Sequence, residues 1–278
     1  MQVVDFTTRD EVSLTGRIYE HENPVGVTVI HGATGVPHKY YEPFAQWLVE
    51  HRAHHVLIYA YRDTYRPTPE QLRKSNTMMS DWGLKDQLAA NDFMLSRFPE
   101  LPLHTVGHSL GGFCLPFHDN ADRIVTHTAV NSGLAYWRSH PPHYLPMVIL
   151  FWFILGPLMT RILGYLPGFL LGMKDGIPAN VFWQWRRWCT NPDFHAKDWG
   201  KTLPEPDLNR FAGKLRLVSS SDDLMIPTSR VLALSRFFPA ASSTETVELK
   251  PGDFGLKSIG HIQLFSRNCS SAWPAVVA

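Results

Sequence analysis

The stretch "TVGHSLGG", Thr105–Gly112, sets Ser109 at the centre of a G-x-S-x-G pattern. A serine held on such a turn can attack a carbonyl carbon, provided a neighbouring base takes its proton and the acyl group passes to the hydroxyl. The pattern alone says little. With glycine at about 7% of residues and serine taken as similar, a chain of this length contains it by chance roughly one time in ten. The chemistry also needs a strand feeding the turn, a base, a carboxylate to orient that base, and N–H donors for an oxyanion.

Leu103–Val106 reads as a strand and Leu110–His118 as the helix after it, so Ser109 falls on a sharp strand-to-helix turn. Side chains two positions either side would crowd that turn, which accounts for Gly107 and Gly111. A helix starting at Leu110 would direct its positive end at the site. Of the 14 histidines, His261 stands apart because "SIGHIQLF" follows the last strand-like run, "TETVELK". In a doubly wound sheet that loop shares the carboxyl edge with the Ser109 turn. His108 should point away from the nucleophile, and "HRAHH" (His51, His54, His55) ends a helix and opens a strand. For the carboxylate, "KLRLVSSSDDLMIP" offers Asp222 and Asp223, each equally readable as a turn residue or helix N-cap. Spacing does not separate the two. The glycine-bearing loop "VIHGATGV" offers the Ala33 N–H beside the Leu110 N–H as an oxyanion pair, with His31 shaping the loop.

These parts need a sheet to carry them. "VGVTVIHG" precedes "YYEPFAQWLVEH", "HVLIYAY" precedes "GLKDQLAANDFMLSRF", and further strand-like and helix-like runs alternate to the end of the chain. Near-continuous apolar strands between amphipathic helices predict an α/β fold with a doubly wound, mostly parallel sheet. Residues 133–206 break the alternation with "YLPMVILFWFILGPLMTRILGYLPGFLLG" and "VFWQWRRWC". The expected division is therefore a core of 1–132 and 207–278 with an inserted helical, apolar lid over 133–206. Val148–Leu155 is apolar, but a spanning helix needs about 20 such residues. Pro146, Gly156, Pro157 and Pro167 should interrupt it and Arg161 lies inside it, so no span is expected. The expected role is a lid over an apolar pocket, with peripheral lipid contact through that lid as the alternative.

The chain has 278 residues, 44% hydrophobic, and a net charge of +1. That length supports a large core without staples. Near-neutral charge without a basic tract argues against nucleic acid. Cys114, Cys189 and Cys269 are distant and odd in number, pointing to a reduced compartment without disulfides. "MQVVDFTTRDEVSL" lacks a basic, then apolar, secretory pattern, so a cytoplasmic location is expected. The tail "SSAWPAVVA" reads as a frayed end. No metal-binding spacing appears, and no cofactor is expected.

With these residues in hand, the chain resembles the α/β-hydrolase superfamily. "HGATG", "GHSLGG", "DLMIP" and "GHIQLF" are similar to its oxyanion loop, nucleophile elbow, acid turn and histidine loop, in the order Ser109, Asp223, His261. The resemblance implies Asp223 as the acid, because Pro227 stands at the fourth position after it. "GATGV", "YYEPFA" and "DGIPANVFWQWRRWC" further resemble a group of bacterial hydrolases without a settled substrate. Such relatives commonly carry Asp-x-Arg-Gly-x-Gly-x-Ser after the second core strand. Here "YAYRDTYRP" stands instead, implying a differently shaped loop. The expected activity is hydrolysis of carboxylic esters with small to medium acyl groups. Acyl transfer, thioester or peptide cleavage by the same triad, and a non-catalytic small-molecule binding module on this fold, are the alternatives.

Overall fold

The computed structural model describes residues 1–277. Ten strands run in chain order: β1 Gln2–Thr7, β2 Ser13–Tyr19, β3 Gly26–His31, β4 His54–Tyr59, β5 Leu103–His108, β6 Ile124–Val130, β7 Tyr165–Leu166, β8 Ile177–Pro178, β9 Lys214–Ser220 and β10 Ser243–Leu249. Eight form one sheet in the order β1-β2-β4-β3-β5-β6-β9-β10, and β7 and β8 form a separate small hairpin. From β4 to β10 every neighbouring pair is parallel, while β1–β2 and β2–β4 are antiparallel. The mostly parallel, doubly wound sheet expected from the sequence is present.

The central strands are apolar throughout because both their faces are covered. All six residues of β3 are buried, with apolar clusters on either side of the sheet. β1 is different: Val4 and Phe6 are buried while its other residues are exposed. A strand covered on one face only shows alternation rather than an apolar run. A reading tuned to long apolar runs passes over it.

Three expectations are corrected. Leu110–His118 is not one helix but two short 3-10 turns, Ser109–Gly112 and Leu115–Phe117. Gly111 and Gly112 lower helix propensity, and Pro116 removes a backbone donor, so no long helix and no summed dipole follows Ser109. The tail is docked rather than frayed: Ala272, Trp273 and Val276 are buried. Trp273 Nε1–H donates to the Leu264 carbonyl at 2.7 Å, and Arg216 holds the Ala275 and Val276 carbonyls.

The third correction concerns the apolar run, where Gly156 and Pro157 do not stop the helix. It continues over Leu145–Leu163. A π-helical stretch, Leu150–Leu155, shifts the hydrogen-bond ladder so that the Gly156 N–H reaches the Phe151 carbonyl. That insertion absorbs the donor missing at Pro157. This helix, the β7–β8 hairpin and the helix Ala179–Cys189 all lie between β6 and β9. An aromatic contact joins them to the rest: Phe113, after the Ser109 turn, meets Trp188, Phe194 and His195. The buried Asp198 carboxylate accepts from Arg187 and from the Trp188 indole N–H.

Candidate active site

Ser109 sits where β5 ends, with φ at 52°, in the left-handed region that costs a non-glycine residue about 1–3 kcal/mol. The turn is possible only because its neighbours lack side chains. A Cβ on Gly107 would lie 2.2 Å from the Gly111 carbonyl oxygen, and one on Gly111 would lie 2.1 Å from that of His31. The Ser132 hydroxyl, at the end of β6, donates to the Ser109 carbonyl at 2.6 Å.

His261 follows β10 and Gly260, which has φ at 58°. Its Nε2 lies 3.1 Å from Ser109 Oγ, and its Nδ1 lies 2.7 Å from Asp223 Oδ2. The structure thus brings Ser109, His261 and Asp223 into one hydrogen-bonded line, with Asp223 and His261 both buried. Asp223 keeps its direction through Oδ1, which accepts from the Met225 and Ile226 N–H groups at 2.7 and 3.0 Å.

Asp222, the neighbour that spacing could not separate, faces another way. It accepts from the Ser258 hydroxyl and from the Ile259 and Gly260 N–H groups, each at 2.9 Å, bracing the loop before His261. Burial works to raise its pKa, but those bonds, chiefly from Gly260, outweigh it and hold the carboxyl below its ordinary range.

The Ala33 N–H does not point where the sequence reading placed it. It donates at 2.8 Å to the hydroxyl of Tyr41, which is buried and does not line the cavity beside Ser109. The Tyr41 ring fits there because residue 32 is glycine: a Cβ would lie 3.0 Å from the ring. Tyr41 Oη also lies 2.8 Å from His108 Nδ1, and His108 Nε2 lies 2.8 Å from the His261 carbonyl oxygen. A carbonyl only accepts, so His108 Nε2 carries the proton and Nδ1 accepts from Tyr41. The direction of the chain is then fixed: Ala33 N–H to Tyr41, Tyr41 O–H to His108, His108 N–H to His261. Burial pushes the His108 pKa down to about 3, consistent with a neutral ring. His108 does point away from Ser109, and His31 bonds the Tyr59 hydroxyl at 2.8 Å, within the core.

Asn131 is a second partner that sequence reasoning missed. Its amide N–H group donates to the Gly260 and His261 carbonyls at 3.1 and 3.2 Å, while its Oδ1 accepts the Ser220 N–H at 2.8 Å. One side chain therefore ties β6 to β9 and to the His261 loop. The available signal was "NS" directly after the apolar end of β6, polar residues where the strand meets the carboxyl edge.

The loop after β4 is built around Arg62 instead of glycines. Its guanidinium reaches Asp86 and Asp10, each at 2.7 Å. Asp86 is buried, and it also accepts the Arg62 N–H at 2.8 Å.

Above Ser109 lies a cavity of about 350 Å³ lined by Ser109, Leu110 and His261 and by apolar side chains including Met79, Phe113, Val148, Phe151, Trp152 and Trp185. Its size is at the low end of small-molecule sites, and Ser109 and His261 are among the few polar groups that line it.

No family profile and no curated protein matches the chain. Solved structures do. An esterase from Pyrococcus furiosus is 13% identical over 99% of this chain and 87% of its own, with a TM-score of 0.61. An α/β hydrolase from a Penicillium species is 16% identical over 99% and 95%, TM-score 0.60. A thermophilic esterase from Thermogutta terrifontis is 11% identical over 99% and 97%, TM-score 0.57. The chain has the α/β-hydrolase fold.

Proposed function

We propose that this protein is a serine hydrolase cleaving carboxylic esters with small to medium acyl groups. The observation that carries the reading is the line Ser109–His261–Asp223, at 3.1 and 2.7 Å, opening into an apolar cavity. Ser109 Oγ attacks the acyl carbonyl while His261 Nε2 takes its proton, and Asp223 holds the tautomer and stabilises the imidazolium. His261 then returns the proton to the leaving alcohol. Water, activated by the same nitrogen, hydrolyses the acyl-enzyme.

The Leu110 N–H is the proposed oxyanion donor. The Ala33 N–H is engaged by Tyr41 in this structure and is left out of the assignment. The apolar lining favours uncharged acyl chains over charged substrates. Residues 133–206 supply much of that lining, through Val148, Phe151, Trp152 and Trp185, which supports their reading as a lid.

The test is labelling by a fluorophosphonate probe together with turnover of p-nitrophenyl butyrate. The wild type should be labelled and show an acyl-enzyme burst. Ser109→Ala should lose labelling and about 10⁶-fold of the turnover, the scale at which such serines act. An unlabelled, burst-free wild type would reject the hydrolase reading and leave a binding module on the same fold.

A further inference from the structure

The helix Leu145–Leu163 is long and apolar enough to cross a membrane, yet only 28% of its most apolar stretch is buried. Ile149, Leu150, Phe153, Ile154, Leu158 and Ile162 are all exposed, Ile154 and Leu158 by half and Ile162 by two thirds. A monomer in water rarely leaves so contiguous an apolar face uncovered, so something other than water meets it.

The segment that carries that face is rich in cations. Between Gly133 and Arg186 the chain carries Arg138, Arg161, Lys174 and Arg186 against a single carboxylate, Asp175. Among the described residues none of these four cations has a carboxylate partner. Three lie on aromatic rings instead: Arg186 5.2 Å from Phe153, Arg138 4.9 Å from Trp137, and Arg161 5.3 Å from Trp183. Trp137 itself packs on Phe153 at 5.2 Å, so two of these cations border one exposed ring.

The helix cannot cross a bilayer and leave the rest of the chain as it is. The strands before and after it, β6 and β9, are hydrogen-bonded neighbours in one sheet. A single crossing would place them on opposite sides. The arrangement fits a helix lying in the interface plane, apolar face down and cations at the headgroups.

We infer that this face docks on an anionic lipid bilayer surface. The helix also walls the cavity: Met147 is both exposed and cavity-lining, and Val148, Phe151 and Trp152 line it from the same helix. Docking therefore sets the cavity beside the acyl region of the membrane. That route makes lipid-borne esters the substrate class, a point that rests on the hydrolase reading, whereas docking itself does not.

The experiment is co-sedimentation of the full chain with phosphatidylcholine vesicles and with vesicles that also contain phosphatidylglycerol. The wild type is compared with an Ile154→Glu/Leu158→Glu double variant, neither position lining the cavity. The wild type should partition at least tenfold more strongly than the variant onto the mixed vesicles, and more weakly onto phosphatidylcholine alone. Thermal unfolding and vesicle-free turnover of p-nitrophenyl butyrate should match between the two proteins. Docking is overturned if the wild type stays in the supernatant with both vesicles. Equal partition onto both overturns the anionic assignment, and a wild-type dimer that the double variant dissolves, without vesicle binding, gives the face to a second copy. If neither protein turns over ester but the wild type sediments, the hydrolase reading has failed and docking stands.

Discussion

The carboxyl edge of the sheet and the face of the Leu145–Leu163 helix handle polarity in opposite ways. At the sheet edge, Asp223, His108, Asn131 and Tyr41 are buried, and each has at least two hydrogen-bonding partners. On the helix face, apolar side chains meet solvent and the bordering cations lack carboxylates. Buried polar groups are costly unless paired, so the first region is committed to one geometry. The second has no such constraint and keeps the surface an outside partner would need. Rigidity sits at the proposed site of catalysis, and an uncovered surface sits where the proposed partner would arrive.

Substitutions can break that contrast, starting with the largest effect. Asp223→Asn should reduce turnover of p-nitrophenyl butyrate about 10⁴-fold, because the amide favours the wrong His261 tautomer. Asp222→Asn should leave the His261–Asp223 pair in place. It should cost about 1–3 kcal/mol in chemical denaturation, as one loop N–H loses its acceptor. If the two variants were equal in turnover, the assignment of Asp223 would fail.

Acid should act next, through buried histidines at the site and elsewhere in the core. Burial pushes His108 and His195 down to about 3 and His118 and His127 to about 4, from an ordinary 6.5. The unfolded chain binds protons at these sites that the native state refuses. Stability is therefore full above about pH 6.5 and falls as the pH drops toward 4. Each of the four rings contributes a slope of up to about 1.4 kcal/mol per pH unit. Guanidinium midpoints at pH 7, 6 and 5 would show it. A flat profile would mean that these rings take up protons in the native state.

Tyr41→Phe removes the hydroxyl shared by Ala33 and His108, leaving two buried groups short of a partner. A loss of about 1–3 kcal/mol is expected from thermal or chemical denaturation. The same variant frees the Ala33 N–H, so a gain in kcat would restore Ala33 as an oxyanion donor. The smallest effect should come from the other region. Ile154→Glu lies on the exposed helix face and should stay within about 0.5 kcal/mol of wild type. A loss as large as that of Tyr41→Phe would show that the face is packed in solution, and would erase the contrast.

The sequence by itself carried the sheet and the tight turn at Ser109, and it singled out His261 among the histidines. Apolar runs such as "VGVTVIHG" and the paired glycines about Ser109 are local requirements, and each is written within a few adjacent residues. It did not reveal β1, whose burial is one-sided, or the anchored tail around Trp273, whose partners lie elsewhere in the chain. Spacing left Asp222 and Asp223 open, and only the resemblance, through Pro227, favoured Asp223. Tertiary structure shows the two facing different ways, Asp223 toward His261 and Asp222 toward the loop before it. It also turned the Ala33 N–H toward Tyr41, engaged Asn131 with the His261 loop, and left the Leu145–Leu163 face uncovered. Most of these depend on hydrogen bonds or burial between residues far apart in sequence, such as the 153 positions from His108 to His261. Hydrogen-bond direction and exposure are properties of the assembled neighbours, so no local pattern in the chain encodes them.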